Sequence, residues 1–372
     1  MSRRPNRRRR TRAGRGYAAA QARLLAGIVA GYDPPLLGTA LRAVTGRPRV
    51  RESSVGGVPA TVARPARGDG PWPTVVLLPG VTRRGRAHPA FQGLARAFAV
   101  TGHLAVVVEP EGISVGELTS TGLRRARGVV EAVASRSDAR GRRIALAGVS
   151  GGATVALLVA ADPSLAERVS GIVVLAPCCD LEEALRFVTT GVRRDGDVLV
   201  PFASGDFFKL VIARCAVGWL PPGKDREVLR SHLLSLDDYG PDPLGGLRAW
   251  PRDELTAPAR AVLELLSNDD PLRFDDLIAR LPAEIRADMH ALSPLAGARR
   301  IVAPVELVVP RADKYIPLED SLAFAEACPS ARLTILESLE HAVPTISVTG
   351  ARDLAQLNGV FVRFLRESYS GR

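Results

Sequence analysis

Short, nearly continuous apolar runs alternate along this chain with longer stretches whose apolar positions recur at helical spacing. The runs Thr74–Leu78, Leu104–Glu109, Arg143–Ala147, Ile172–Ala176, Val305–Val309 and Leu333–Leu336 predict strands buried on both faces. Ahead of them, Val50–Val55 and Val58–Arg64 flank Gly56-Gly57, the sequence of a two-residue hairpin turn. Helix-length stretches at 89–101, 117–136, 151–161 and 318–328 separate most of the runs. Such alternation predicts an α/β fold: a doubly wound, mostly parallel sheet opened by an antiparallel hairpin. Sites on such sheets form at the carboxyl ends of the strands.

The pattern breaks once. Between Ile172–Ala176 and Val305–Val309, where one helix and a short loop are expected, lies the long segment 181–292. It predicts helices at Phe207–Leu220, Lys224–Leu236, Leu255–Leu266, Pro271–Leu281 and Pro282–Leu292, divided by Pro, Gly, Asn and Asp clusters. We expect a helical cap inserted into a core made of 46–180 and 293–372. The cap carries Phe187, Phe202, Phe207, Phe208, Trp219 and Trp250. Most of these are expected to pack the cap itself, with one or two, Phe207 and Phe208 foremost, facing a substrate.

By length alone 372 residues would make roughly two to three domains, though α/β folds often run long as one unit. Apolar residues make up 46% of the chain, enough for a large core. The formal charge of +11 is concentrated at the start, because residues 1–16 hold eight Arg and no acid; without them it falls to 11 − 8 = +3. That tail is expected to be disordered and weakly attracted to polyanions or acidic membrane surfaces, with no specific nucleic-acid recognition. The Ala-rich stretch from Tyr17 to Gly31 is too short and interrupted to span a membrane, and predicts a helix lying on the core or on a membrane surface within a helical segment 17–45. A basic run before an apolar stretch also leaves a signal anchor or signal peptide open. Four cysteines form no disulfide framework and favour a reducing, cytoplasmic compartment, peripheral to the membrane if the tail engages it.

The chemistry centres on Gly148-Val149-Ser150-Gly151-Gly152, placed between the strand that ends at Ala147 and the helix that starts at Ala153. A G-x-S-x-G at a strand-to-helix junction exposes the serine on a strained turn through which only glycines let the backbone pass. A second match, Gly112-Ile113-Ser114-Val115-Gly116, lacks that context: Pro110 and Glu111 separate it from its strand, and Glu117 follows it. Ser150 is therefore the expected nucleophile. Of His88, His103, His232, His290 and His341, only His341 lies in a short loop past a late strand near the C-terminus. Asp313 follows the strand Val305–Val309, where a carboxylate can orient an imidazole.

The order Ser150, Asp313, His341, each at a strand's carboxyl end, resembles the α/β-hydrolase superfamily, roughly from Arg47 to Arg366. The resemblance implies an eight-stranded sheet with helices on both faces, an inserted cap between the sixth and seventh strands, and an oxyanion hole. Its donors would be the N–H of Gly151 and, by the resemblance, that of Val81. Most relatives carry His-Gly ahead of that second donor, whereas this chain has Pro79-Gly80. Some relatives place the acid after the sixth strand, which makes Asp180 the alternative to Asp313; Asp180-Leu181-Glu182-Glu183 also reads as a capping box. Arg83, Arg84 and Arg86 read as a solvated charge run, or as binders of an acidic substrate group. Cys178-Cys179 reads as two buried thiols rather than a vicinal disulfide. The expectation is a serine hydrolase acting on a carboxylic ester or related acyl bond, with no cofactor and no metal. An acyltransferase or peptidase with the same triad, or a binding protein that keeps only the fold, are the alternatives.

Overall fold

The computed structural model describes residues 19–29, 35–344 and 350–369. The Arg-rich tail 1–16 expected to contact polyanions lies outside them. In chain order the elements are α1 (residues 19–29), α2 (Pro35–Thr45), β1 (Arg49–Val55), β2 (Val58–Arg64), β3 (Trp72–Leu78), α3 (Pro89–Val100), β4 (Leu104–Val108), α4 (Ser120–Ala134), β5 (Ala139–Val149), α5 (Gly151–Ala160) and β6 (Val169–Leu175). The insertion then brings α6 (Leu181–Thr190), β7 (Val192–Asp195), β8 (Val198–Pro201), α7 (Asp206–Gly218), α8 (Lys224–Ser235), α9 (Gly245–Arg248), α10 (Ala257–Leu266), α11 (Phe274–Arg280), α12 (Ala283–Ala291) and α13 (Pro294–Gly297). The chain closes with β9 (Val305–Pro310), α14 (Leu318–Ala327), β10 (Ala331–Leu336), the two-residue strands β11 (Leu339–Glu340) and β12 (Val343–Pro344), and α15 (Gly350–Tyr369).

Eight strands form one sheet in the order β1-β2-β4-β3-β5-β6-β9-β10. Only β2 runs against its neighbours; from β4 to β10 every pairing is parallel. The hairpin read from Gly56-Gly57 is present, with Val55 opposite Val58 and positive φ of 58° and 79° at the two glycines. Alternate residues of β3 fill the two faces. Val76 and Leu78 join one core cluster with α4 and α5, while Val75 and Leu77 join the other with α3 and α15. Burial on both faces is why the central strands read as unbroken apolar runs.

Helix α1 packs on the core: Ala22, Leu24, Leu25 and Ala26 are buried in the second cluster, and Gln21 Nε2 donates to the Thr101 carbonyl at 3.0 Å. Of the two placements expected for this stretch, the structure shows the one on the core. Among the described residues no helix is long and apolar enough to cross a membrane. Within the insertion the expected helices are present, and the Pro271–Leu281 stretch is a 3₁₀ turn at Pro271–Arg273 followed by α11. The β7–β8 hairpin was not legible. Val192-Arg193-Arg194-Asp195 and Val198-Leu199-Val200-Pro201 are mostly exposed and lack the alternation that marks a half-buried strand.

Candidate active site

The strands β3, β5 and β9, and the β11–β12 turn that follows β10, bring four loops to one end of the sheet. Ser150 follows β5 with φ 51° and ψ −125°, a conformation costly for any residue but glycine. Its N–H donates to the Leu175 carbonyl of β6 at 2.8 Å, which fixes the turn. The glycines around it are sterically required. A Cβ on Gly148 would lie 2.5 Å from the Gly152 carbonyl oxygen, and one on Gly152 would lie 2.1 Å from that of Leu78.

His341 occupies the two-residue turn between β11 and β12, with Glu340 opposite Val343. Its φ of 54° is what such a turn demands. The start of this loop is held by the buried Asp353 of α15, whose Oδ2 accepts from the N–H groups of Glu337 (2.8 Å) and Ser338 (2.6 Å). His341 Nδ1 is 2.8 Å from Asp313 Oδ2, and Nε2 is 2.9 Å from Ser150 Oγ. The other Asp313 oxygen accepts from the N–H of Tyr315 (2.8 Å) and of Ile316 (3.3 Å). With both lone-pair sides engaged, the carboxylate takes its proton donor from Nδ1–H, leaving Nε2 to accept from the serine hydroxyl. The ion pair of Lys314 with Glu340 (2.9 Å) ties the acid loop to the histidine turn.

Val81 follows β3 and Gly151 opens α5, and both line one cavity with Ser150 and His341. Neither Val81 N–H nor Gly151 N–H donates to another protein group among the described residues. The loop presses closely on the elbow: a Cβ on Gly80 would sit 2.9 Å from the Val149 carbonyl oxygen and 3.1 Å from the Ser150 Cβ. Two free amide donors beside a serine hydroxyl can receive a developing negative oxygen.

The cavity measures about 40 Å³ and is roofed by α7, which contributes Phe207, Phe208, Val211, Ile212 and Cys215. A space of that size holds about a water or two. Tyr315, beside the acid, packs edge-on to His341 at 5.0 Å and lies 5.7 Å from Phe207. The remaining aromatics pack the insertion: Phe187 meets Phe202 edge-on and stacks with Phe208, Trp250 meets His232 edge-on, and Trp219 donates its indole N–H to the Leu118 carbonyl at 2.9 Å. Helix α7 is anchored at both ends. Ahead of it the Gly205 N–H and Ser204 hydroxyl bond the carbonyls of Lys314 and Tyr315, at 2.8 Å each. Toward its end Arg214 and Cys215 bond those of Val115 and Gly116. A larger cleft of about 480 Å³ lies toward the sheet edge, between the β1–β2 turn and α4, and neither Ser150 nor His341 lines it.

The other singled-out residues fall elsewhere. Ser114 sits in a 3₁₀ turn flanked by left-handed Gly112 and Gly116. Asp180 caps α6, accepting from Glu182 N–H (3.0 Å) and Glu183 N–H (3.3 Å). Its own N–H goes not to Glu183 but to Asp320, so the capping box is half formed. Asp320, buried, also accepts from the Cys179 N–H (2.8 Å), and burial pushes its carboxyl up to about 7. No sequence signal distinguished it from an ordinary acid in a helix's first turn. All four cysteines are free and buried, and burial pushes the Cys215 thiol up to about 12. His103 is a core residue between Thr101 and Ser368, lowered to about 3 by burial. His88 caps α3. Arg83 and Arg86 are paired, with Asp238 and Glu52 respectively, and are not free charges. The cavity residues Ile113, Leu118, Val211, Ile212 and Cys215 had no signal beyond their apolar character.

No protein-family model and no curated protein sequence matches the chain. Among solved structures it is similar to the acylaminoacyl peptidase of Pyrococcus horikoshii, with a TM-score of 0.51 and 15% identity, over 90% of this chain and 43% of that one. It is similar also to Est1E from Butyrivibrio proteoclasticus, with a TM-score of 0.46 and 13% identity, over 85% and 99% of the two chains. With its strand order, its serine turn after β5 and its long insertion after β6, the chain has the α/β-hydrolase fold.

Proposed function

We propose that this protein is a serine hydrolase that cleaves a carboxylic ester, or a related acyl bond, through an acyl-serine intermediate. The observation that carries the reading is the relay Ser150–His341–Asp313, with spacings of 2.9 and 2.8 Å, beside two unpaired amide donors. Ser150 Oγ attacks the carbonyl carbon as His341 Nε2 takes its proton. Asp313 keeps Nδ1 protonated and stabilises the imidazolium. The N–H groups of Val81 and Gly151 receive the oxyanion. His341 then protonates the departing alcohol, and afterwards takes a proton from water as it attacks the acyl-serine, releasing the acid and restoring Ser150. The substrate is a small molecule with an apolar acyl part, a reading supported by the side chains of α7 above the serine.

A fluorophosphonate probe is expected to label the protein at Ser150 alone. Loss of labelling in Ser150→Ala, with full labelling in Ser114→Ala, supports the assignment; an adduct mapped to Ser114 overturns it. Free acid released in water from esters, measured against amides and against acyl transfer to an added alcohol, separates hydrolysis of esters from peptidase or transferase chemistry.

Phe207 is half-buried at the rim and Phe208 buried deeper, and both are expected to set acyl length. Phe207→Ala should move the optimum toward longer acyl chains, each added CH₂ contributing about 0.8 kcal/mol to kcat/KM where it is buried. A chain-length profile unchanged in Phe207→Ala and in Phe208→Leu would remove α7 from the acyl pocket.

A further inference from the structure

Resting on the hydrolase reading above, we propose that Arg83 is a positioning residue: clamped by Asp238 of the insertion, it fixes the loop that presents the Val81 N–H to the oxyanion. The insertion then does more than roof the serine, because it completes the donor set from across the site.

The clamp is a side-on pair. Arg83 Nε lies 2.7 Å from Asp238 Oδ2, and Nη2 lies 3.3 Å from Oδ1. Asp238 is itself held from a second side, since its Oδ1 also accepts from Arg214 Nη1 at 2.9 Å. Arg214 is 3% exposed and donates further to the carbonyls of Leu233 and Val115. A buried guanidinium holds its counter-charge strongly, because losing it leaves an uncompensated charge out of water. The two arginines together keep the Asp238 carboxyl below the usual carboxylate range.

The loop needs such an anchor. From Val81 to Gly85 its other polar bonds are local: Gly85 N–H to the Thr82 carbonyl, Arg84 N–H to the Thr82 hydroxyl, and the Arg84 and Gly85 carbonyls accepting from the N–H groups of Ala87 and His88. The next tether to the core is Arg86, through its N–H to Glu109 at 3.0 Å. Among the described residues, Arg83–Asp238 is therefore the one polar bond joining 81–85 to a distant part of the chain. An amide donor is useful only within about 3 Å of the oxyanion, and a displacement of roughly 1 Å in such geometry costs up to about 100-fold in rate.

The test uses the full chain with Arg83→Gln and Arg83→Lys, a short-acyl ester, and a trifluoromethyl ketone whose hemiketal anion occupies the oxyanion position. Rates are expressed per Ser150 titrated with fluorophosphonate, so that a loss of folded protein does not count. Arg83→Gln is expected to lower kcat about tenfold with KM within about twofold, and to weaken the ketone in proportion to kcat. Arg83→Lys should recover part of the loss, keeping the charge without the side-on geometry. Unchanged kcat and ketone affinity in Arg83→Gln overturn the clamp, as does a change confined to KM. An unaltered protein whose Ser150 is not acylated overturns the hydrolase reading itself, a result separable from failure of the clamp alone.

Discussion

Asp313→Asn is expected to lower kcat by roughly 10³–10⁴-fold with the fold intact. The cause is the way the carboxylate is divided. One oxygen accepts from the N–H groups of Tyr315 and Ile316, while the other faces His341 Nδ1. An asparagine keeps its carbonyl on the two amides and so turns its NH₂ to the imidazole. Nδ1 must then accept, Nε2 carries the proton, and a donor faces the Ser150 hydroxyl where an acceptor is required. Asp180→Asn, in contrast, should change activity little, because asparagine caps a helix nearly as well as aspartate. Steady-state kinetics of the two variants, normalised by active-site titration, check the ranking. The reverse order would place the acid after β6.

The second large effect is expected at Gly152. An Ala Cβ there would meet the carbonyl oxygens of Leu78 at 2.1 Å and Pro79 at 2.4 Å, backbone atoms that cannot swing aside. Gly152→Ala should therefore cost on the order of 3 kcal/mol of stability and displace the loop that starts at Pro79, with activity falling along with it. Gly151→Ala is the control, since its Cβ first meets Val81 Cγ2 at 3.3 Å, the end of a side chain. Denaturant unfolding and ester hydrolysis measure both. Equal stability losses in the two variants would show that the close approach at Gly152 is not what the elbow depends on.

The parts of this site that follow from local rules were legible in the sequence. Ser150 was marked by glycines at a strand-to-helix junction, Asp313 and His341 by their positions just past apolar runs. The rival pentapeptide around Ser114 exists for a different reason: Gly112 and Gly116 both take left-handed backbone, with φ of 83° and 81°, around a 3₁₀ turn. Its glycines serve a turn and not an elbow, which only the missing strand context betrayed. What was not legible depends on pairs distant in the chain. Arg83 reads as one of a run of solvated charges, and its partner Asp238 lies 155 residues away. Asp320 and Asp353 read as ordinary helix acids, yet each accepts two backbone N–H groups of another loop. The β7–β8 hairpin, mostly exposed, carries no hydrophobic period from which a strand could be inferred.

Helix α7 separates two tasks among its residues. Arg214 and Trp219, at its end, seat it on the core through the carbonyls of Val115 and Leu118, whereas Phe207, Phe208, Val211 and Ile212 line the cavity. Only Cys215 does both, lining the cavity while its thiol reaches the Gly116 carbonyl. Main-chain acceptors stay in place whatever side chain they carry, so the side chain of Val115 can change without unseating the helix. The lining side chains of α7 carry none of these bonds, so under the reading proposed above the shape of the cavity can change while the attachment stays fixed, with Cys215 the position where the two are coupled.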